Sequence, residues 1–114
     1  MWNERHGLIL LNIISKFKAS DIRWLILRGY IGLPDSNLSK DVDILIEPGK
    51  IKLAQDLLKQ AYTEAGLQFF YPSVFGHAHC YLGMSIVDTF SIHIDLIEGY
   101  ISKSLPLMNF MNIL

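Results

Sequence analysis

The chain contains a single cysteine, Cys80, so no disulfide can form within it, which fits a reducing compartment. Charge is scarce as well: 18% of residues are charged and the net charge is −1, which leaves no basic excess for nonspecific nucleic-acid binding. No apolar run approaches the ~18 residues that a membrane span requires. The opening Met1-Trp2-Asn3-Glu4-Arg5-His6 lacks the charge pattern of a signal peptide, although Leu8 to Ile14 is apolar. Internal repeats and low-complexity segments are missing too. From these absences we expect a soluble, cytoplasmic protein whose 114 residues make one domain. What is abundant is apolar: 51% of residues are hydrophobic. So large an apolar share on so lightly charged a chain points to contacts beyond one core, either with a partner chain (a homo-oligomer) or with a further part of the same protein.

Periodicity sets out the elements. Leu8, Leu11, Ile14 and Phe17 fall at near-helical spacing, broadened by Ile9, Leu10 and Ile13, which predicts a helix from about Asn3 to Phe17 ending at Ser20-Asp21. Arg23 to Leu27 reads as a short buried strand. Tyr30 to Lys40 holds Gly32, Pro34, Asp35, Ser36 and Asn37 and reads as a loop. Asp41 to Glu47 alternates as a strand, and Pro48-Gly49 stops it. Ile51, Ala54, Leu57, Leu58, Ala61 and Ala65 trace a second helical stripe, with Gly66 as its C-terminal cap. Three further strands are expected at Leu67 to Tyr71, Ala78 to Leu82 and Phe90 to Ile97, punctuated by Gly76 and Gly83. The expected class is α+β: a small mixed β-sheet with helices packed on one face. We assign 1–100 to the domain. Residues 101–114, with Leu107, Met108, Phe110, Met111, Ile113 and Leu114, form an apolar tail that is either truncated or an oligomer contact.

Three aspartates stand out because Asp suits strands poorly. On a strand, residues two apart share a face at about 7 Å. Asp41 and Asp43 therefore stand together on a face expected to be uncovered, while Val42, Ile44 and Ile46 face the helices. Side-by-side carboxylates repel, and one of them has its pKa raised unless a counter-charge intervenes. A divalent cation removes that conflict; Mg²⁺, or Mn²⁺ in its place, is held by one or two carboxylates with phosphates completing the shell. Asp95 repeats the pattern, with Ser91 and His93 on its face and Ile92, Ile94 and Leu96 opposite. If the two strands are neighbours, three carboxylates converge, enough for two metal ions. Read blandly, an Asp-x-Asp pair is a solvated strand face.

Arg28-Gly29-Tyr30, a ten-residue spacer, and then Asp41-Val42-Asp43-Ile44-Leu45-Ile46 resembles the nucleotidyltransferase superfamily related to DNA polymerase beta, and within it a bacterial branch. Asp95, in Ile92-His93-Ile94-Asp95-Leu96-Ile97, stands where that family carries its third carboxylate. The resemblance covers about Trp24 to Ile97. It implies a nucleotidyltransferase-like fold and transfer of a nucleoside monophosphate from an NTP to a hydroxyl-bearing acceptor, with two Mg²⁺ ions held by Asp41, Asp43 and Asp95. Arg28, Gly29, Tyr30 and Lys40 would then face the nucleotide's phosphates. The family's second small residue is often Ser; Tyr30 stands there, and its hydroxyl can meet a phosphate or its bulk can obstruct one. With the chain ending soon after Asp95, the alternative is a catalytically degenerate module of the same fold that binds a nucleotide or a protein partner.

Other residues keep two readings. Gly29 lets backbone approach a phosphate or simply turns the chain. Arg28 and Lys40, and more weakly Ser36 and Ser39, are phosphate contacts or ordinary surface groups. His93 can orient a carboxylate or touch substrate. His77 and His79 share a strand face as a zinc pair would, or are ordinary strand histidines; Cys80 points away from them and makes a poor third ligand. Trp2, Trp24 and Phe69-Phe70-Tyr71 are expected in the core.

Overall fold

Asn3 begins the first helix by capping it. In the computed structural model, which describes residues 2–28, 41–75 and 78–99 (backbone only at 28 and 72–75), the Asn3 side chain accepts hydrogen bonds from the Arg5 and His6 amides at 2.9 and 3.3 Å. His6 Nδ1 in turn accepts from the Asn3 amide at 3.0 Å. This is a capping box in which His6 does the work usual for Glu or Gln. Helix α1 spans Glu4–Ala19. It ends in a Schellman turn: Asp21 adopts φ 57°, its amide donates to Lys18, and the Ile22 amide reaches back to Phe17 at 3.0 Å. The buried stripe is Ile9, Leu10, Ile13, Ile14 and Phe17. Leu8, expected within it, is 60% exposed, because the stripe is centred one residue later and Leu8 falls on its flank.

Strand β1 covers Trp24–Arg28 and β2 covers Asp41–Ile46. After the Pro48-Gly49 turn, α2 covers Ile51–Glu64 and closes at Gly66, whose φ of 77° suits glycine. Strand β3, Leu67–Phe75, runs four residues past its expected end and through Pro72. It lies at the sheet's edge, where a missing N–H is tolerated, and its pairing is irregular between Phe70 and Ser73. β4 spans Ala78–Ser85 and β5 spans Ser91–Glu98. Gly83 was expected to end a strand and instead lies inside β4. A Cβ there would come within 2.8 Å of the Tyr62 ring, so the glycine makes room for a helix side chain.

The strands form one five-stranded mixed sheet in the order β1-β2-β5-β4-β3. β2 and β5 pair parallel, and the other neighbouring pairs are antiparallel. The molecule is thus α+β, with both helices packed on one face of the sheet. Val42, Ile44, Ile46, Ile92, Ile94 and Leu96 alternate onto that face and share one cluster with Leu10, Ile13, Phe17, Leu58 and Tyr62 of the helices. Trp2 and Trp24 are buried as expected; Phe70 and Tyr71 are exposed. Among the described residues no helix is long and apolar enough to cross a membrane. The expected tail at 101–114 and the loop at 30–40 lie outside the described residues.

Candidate functional site

Because the helices take one face of the sheet, the alternate residues of β2, β5 and β4 form the other. Strand pairing sets their rows. Asp43 stands opposite Asp95, and Asp95 opposite Cys80. One step along, Asp41 stands opposite His93, and His93 opposite Leu82. In the next row, beyond Asp43 and Asp95, Leu45, Ile97 and Ala78 make the surroundings apolar, with Leu25 beside Leu45. The three aspartates expected to converge therefore do lie on neighbouring strands and on one face.

Their environments differ. Asp41 is half-exposed, with 48% of its side chain accessible, whereas Asp95 retains 15%. Asp43 is 4% exposed, so this face is not the open one expected for it. The carboxyls of Asp43 and Asp95 hydrogen-bond to each other. Burial holds the Asp95 carboxyl above its ordinary range; the Asp43 charge and hydrogen bond add to this, while the Cys80 thiol and the His93 ring pull the other way.

His93 sits between the carboxylates. Its Nδ1 lies 3.1 Å from Asp41 Oδ1 and its Nε2 lies 2.9 Å from Asp95 Oδ1. The second contact lacks the alignment of a hydrogen bond, although both atoms are buried. Cys80 completes the group: a Cys80, a His93 and an Asp95 ligand atom all lie within 4.8 Å of one another. Cys80 faces away from His79, as expected, and for that reason faces His93 and Asp95. Its place depends on β4 pairing with β5, which no local pattern in the sequence specifies.

Of the residues expected to meet phosphate, Arg28 pairs through its backbone with Asp43 across a bulge, and Gly29, Tyr30 and Lys40 lie outside the described residues. Ser36 and Ser39 also lie outside them. His77 does too, while His79 is engaged elsewhere, with Nδ1 2.7 Å from the Tyr71 hydroxyl. His6 has a structural role that the sequence did not suggest. It stacks on Trp2 and meets the Phe90 ring at a tilt, and its Nε2 lies 2.8 Å from the Ser91 carbonyl. With Nδ1 accepting from Asn3, Nε2 carries the proton, and the ring is neutral. Burial is the main reason its pKa falls below the ordinary value.

Compared with known protein families, with curated proteins and with solved structures, the chain matches none.

Proposed function

We propose that this protein is a Mg²⁺- or Mn²⁺-dependent nucleotidyltransferase that moves a nucleoside monophosphate from an NTP to a hydroxyl acceptor. The observation that carries this reading is the register of two parallel strands. It sets Asp43 beside Asp95 with Asp41 two residues along, all on the face that the helices leave. Support also comes from the direct contact of two acidic side chains in a buried setting, since a carboxyl pair of this kind is relieved by a divalent cation. The motif Arg28-Gly29-Tyr30, then Asp41-x-Asp43, resembles the superfamily related to DNA polymerase beta, and a mixed sheet with helices on one face agrees with it.

Asp41, Asp43 and Asp95 would hold the cations, which when bound activate the attacking hydroxyl and neutralise the triphosphate. In the net reaction the acceptor oxygen forms a bond to the α-phosphorus, the bond to the bridging oxygen breaks, and pyrophosphate leaves while the hydroxyl proton is lost. The chain's own part is placement. Asp43 is buried, opposite Asp95 on the neighbouring strand. Asp41, half-exposed, faces incoming substrate. His93, with Nδ1 3.1 Å from Asp41 Oδ1, orients that carboxylate and lies against Asp95. Gly29 follows Arg28 and Lys40 precedes Asp41, so both ends of that segment join strands at the site. There Arg28, Gly29, Tyr30 and Lys40 would meet phosphate.

A second reading, a non-catalytic module that binds a nucleotide or a protein partner, is favoured by His93 itself, which already sits between two of the carboxylates. Labelling of an acceptor from α-labelled NTPs separates the two readings. Transfer that requires Mg²⁺ and disappears in Asp43→Asn supports the enzyme. Equal labelling by wild type and Asp43→Asn would end the proposal.

A further inference from the structure

We propose that Cys80, His93 and Asp95 form a binding site for a thiophilic divalent cation of the zinc class, with Asp41 as the hydrogen-bond acceptor that orients the histidine. One candidate ligand atom from each residue lies within 4.8 Å of the other two. The types are a thiolate, an imidazole and a carboxylate, the ligand set that zinc accepts and magnesium does not favour. Three protein ligands leave a fourth position for water or substrate.

The histidine geometry makes this more than proximity. With Nδ1 3.1 Å from Asp41 Oδ1, the ring proton belongs on Nδ1 and the Nε2 lone pair remains available. Nε2 and Asp95 Oδ1 are both buried and 2.9 Å apart, yet they are not aligned for a hydrogen bond. Such a pair is expected of two atoms that share a third centre rather than a proton. Carboxylate, histidine and metal in line is the usual way a protein orients a metal-bound imidazole. The Cys80 thiol hydrogen-bonds Asp95, so it already faces the same point. On binding, the thiol proton leaves to solvent and sulfur becomes the ligand. The site shares Asp95 with the proposed transfer reaction, and Asp41 and His93 through their contacts, but cation binding by Cys80, His93 and Asp95 does not depend on that reaction.

Co²⁺ added to the metal-free full chain reports on this site. The expected result is a thiolate-to-cobalt charge-transfer band in the near ultraviolet. It should saturate at one equivalent and be abolished by Zn²⁺. Zn²⁺ also slows modification of Cys80, the chain's one thiol, by a thiol reagent. Cys80→Ser loses the band while keeping its circular dichroism and any Mg²⁺-dependent nucleotide transfer. Asp41→Asn keeps the band but weakens Co²⁺ binding by about 10–100-fold, the usual effect of losing an orienting partner. If Cys80→Ser fails to fold, the wild-type spectrum, the thiol protection and Asp41→Asn still decide. Absence of the band in wild type, no protection by Zn²⁺, or unchanged affinity in Asp41→Asn overturns the site. Loss of nucleotide transfer with cobalt binding intact would sink only the transferase reading.

Discussion

Asp43 and Asp95 face each other across parallel strands, and their carboxyls hydrogen-bond. Two groups that would both be anionic at neutral pH in water are thus held together in a largely buried place. Folding alone gains nothing from that arrangement; a cation does.

The first prediction follows from Asp95. Its folded pKa is raised above the unfolded value of about 3.9, so the native state binds the proton more readily. That contribution to stability is fully present below the unfolded pKa and is lost as pH rises through the folded one. Metal-free protein should therefore be stabilised at pH 7 by Asp95→Asn, by on the order of 1 kcal/mol, or about 4–8 °C in Tm. The gain should shrink toward pH 4, and added Mn²⁺ should raise the Tm of wild type only. Calorimetric melts at the two pH values, with and without Mn²⁺, check it; a variant less stable at pH 7 contradicts it.

His6, bonded to the Ser91 carbonyl at the start of β5, predicts a pH dependence of the opposite sign. Its folded pKa lies below the unfolded value of about 6.5, because burial disfavours the charged ring. The unfolded chain takes up the proton first. Stability is complete above pH 6.5 and declines as pH falls toward the folded pKa. His6→Gln preserves the capping box and removes this decline. Urea unfolding between pH 7.5 and 5 should show the slope in wild type and a shallower one in the variant.

Gly83→Ala should destabilise by about 1–3 kcal/mol, the usual penalty of overpacking. The added methyl meets Tyr62 at 2.8 and 2.9 Å and Leu67 at 3.0 Å. Tyr62 is fully buried and its hydroxyl donates to the Tyr81 carbonyl at 3.2 Å, so its ring has little freedom to yield. Thermal melts that coincide with wild type would show that the ring moves aside.

Asp21→Gly should stabilise by about 0.5–1 kcal/mol. Asp21 holds φ 57° at the end of α1, a conformation that glycine adopts without the Cβ penalty. Chemical denaturation measures it, and a loss of stability would mean that the Asp21 side chain contributes something the backbone geometry does not reveal.

The elements could be read from the sequence because local pattern controls them. Alternation at Asp41 to Ile46 and at Ser91 to Ile97 separated the polar residues from those that meet the helices, and both strands formed as expected. Gly66 closes α2 because only a residue at ease with positive φ fits there. Where pairing decides, local pattern failed. Cys80 joins His93 and Asp95 only through the antiparallel register of β4 on β5, and nothing around Cys80 encodes that register. Gly83 looked like a strand end; it is a clearance for Tyr62, which lies 21 residues earlier in the chain. The burial of Asp43 was missed because alternation gives the direction of a side chain and not what covers it. His6 was passed over since its capping role copies that of Glu or Gln without their sequence signature.

The most direct test of the central claim is a crystal structure with Mn²⁺ and a non-hydrolysable NTP. The account predicts anomalous density for manganese bound to Asp41, Asp43 and Asp95, with the triphosphate on the same ions beside Arg28 and Gly29. Nucleotide bound elsewhere, or no manganese at these three carboxylates at saturating concentration, would contradict it.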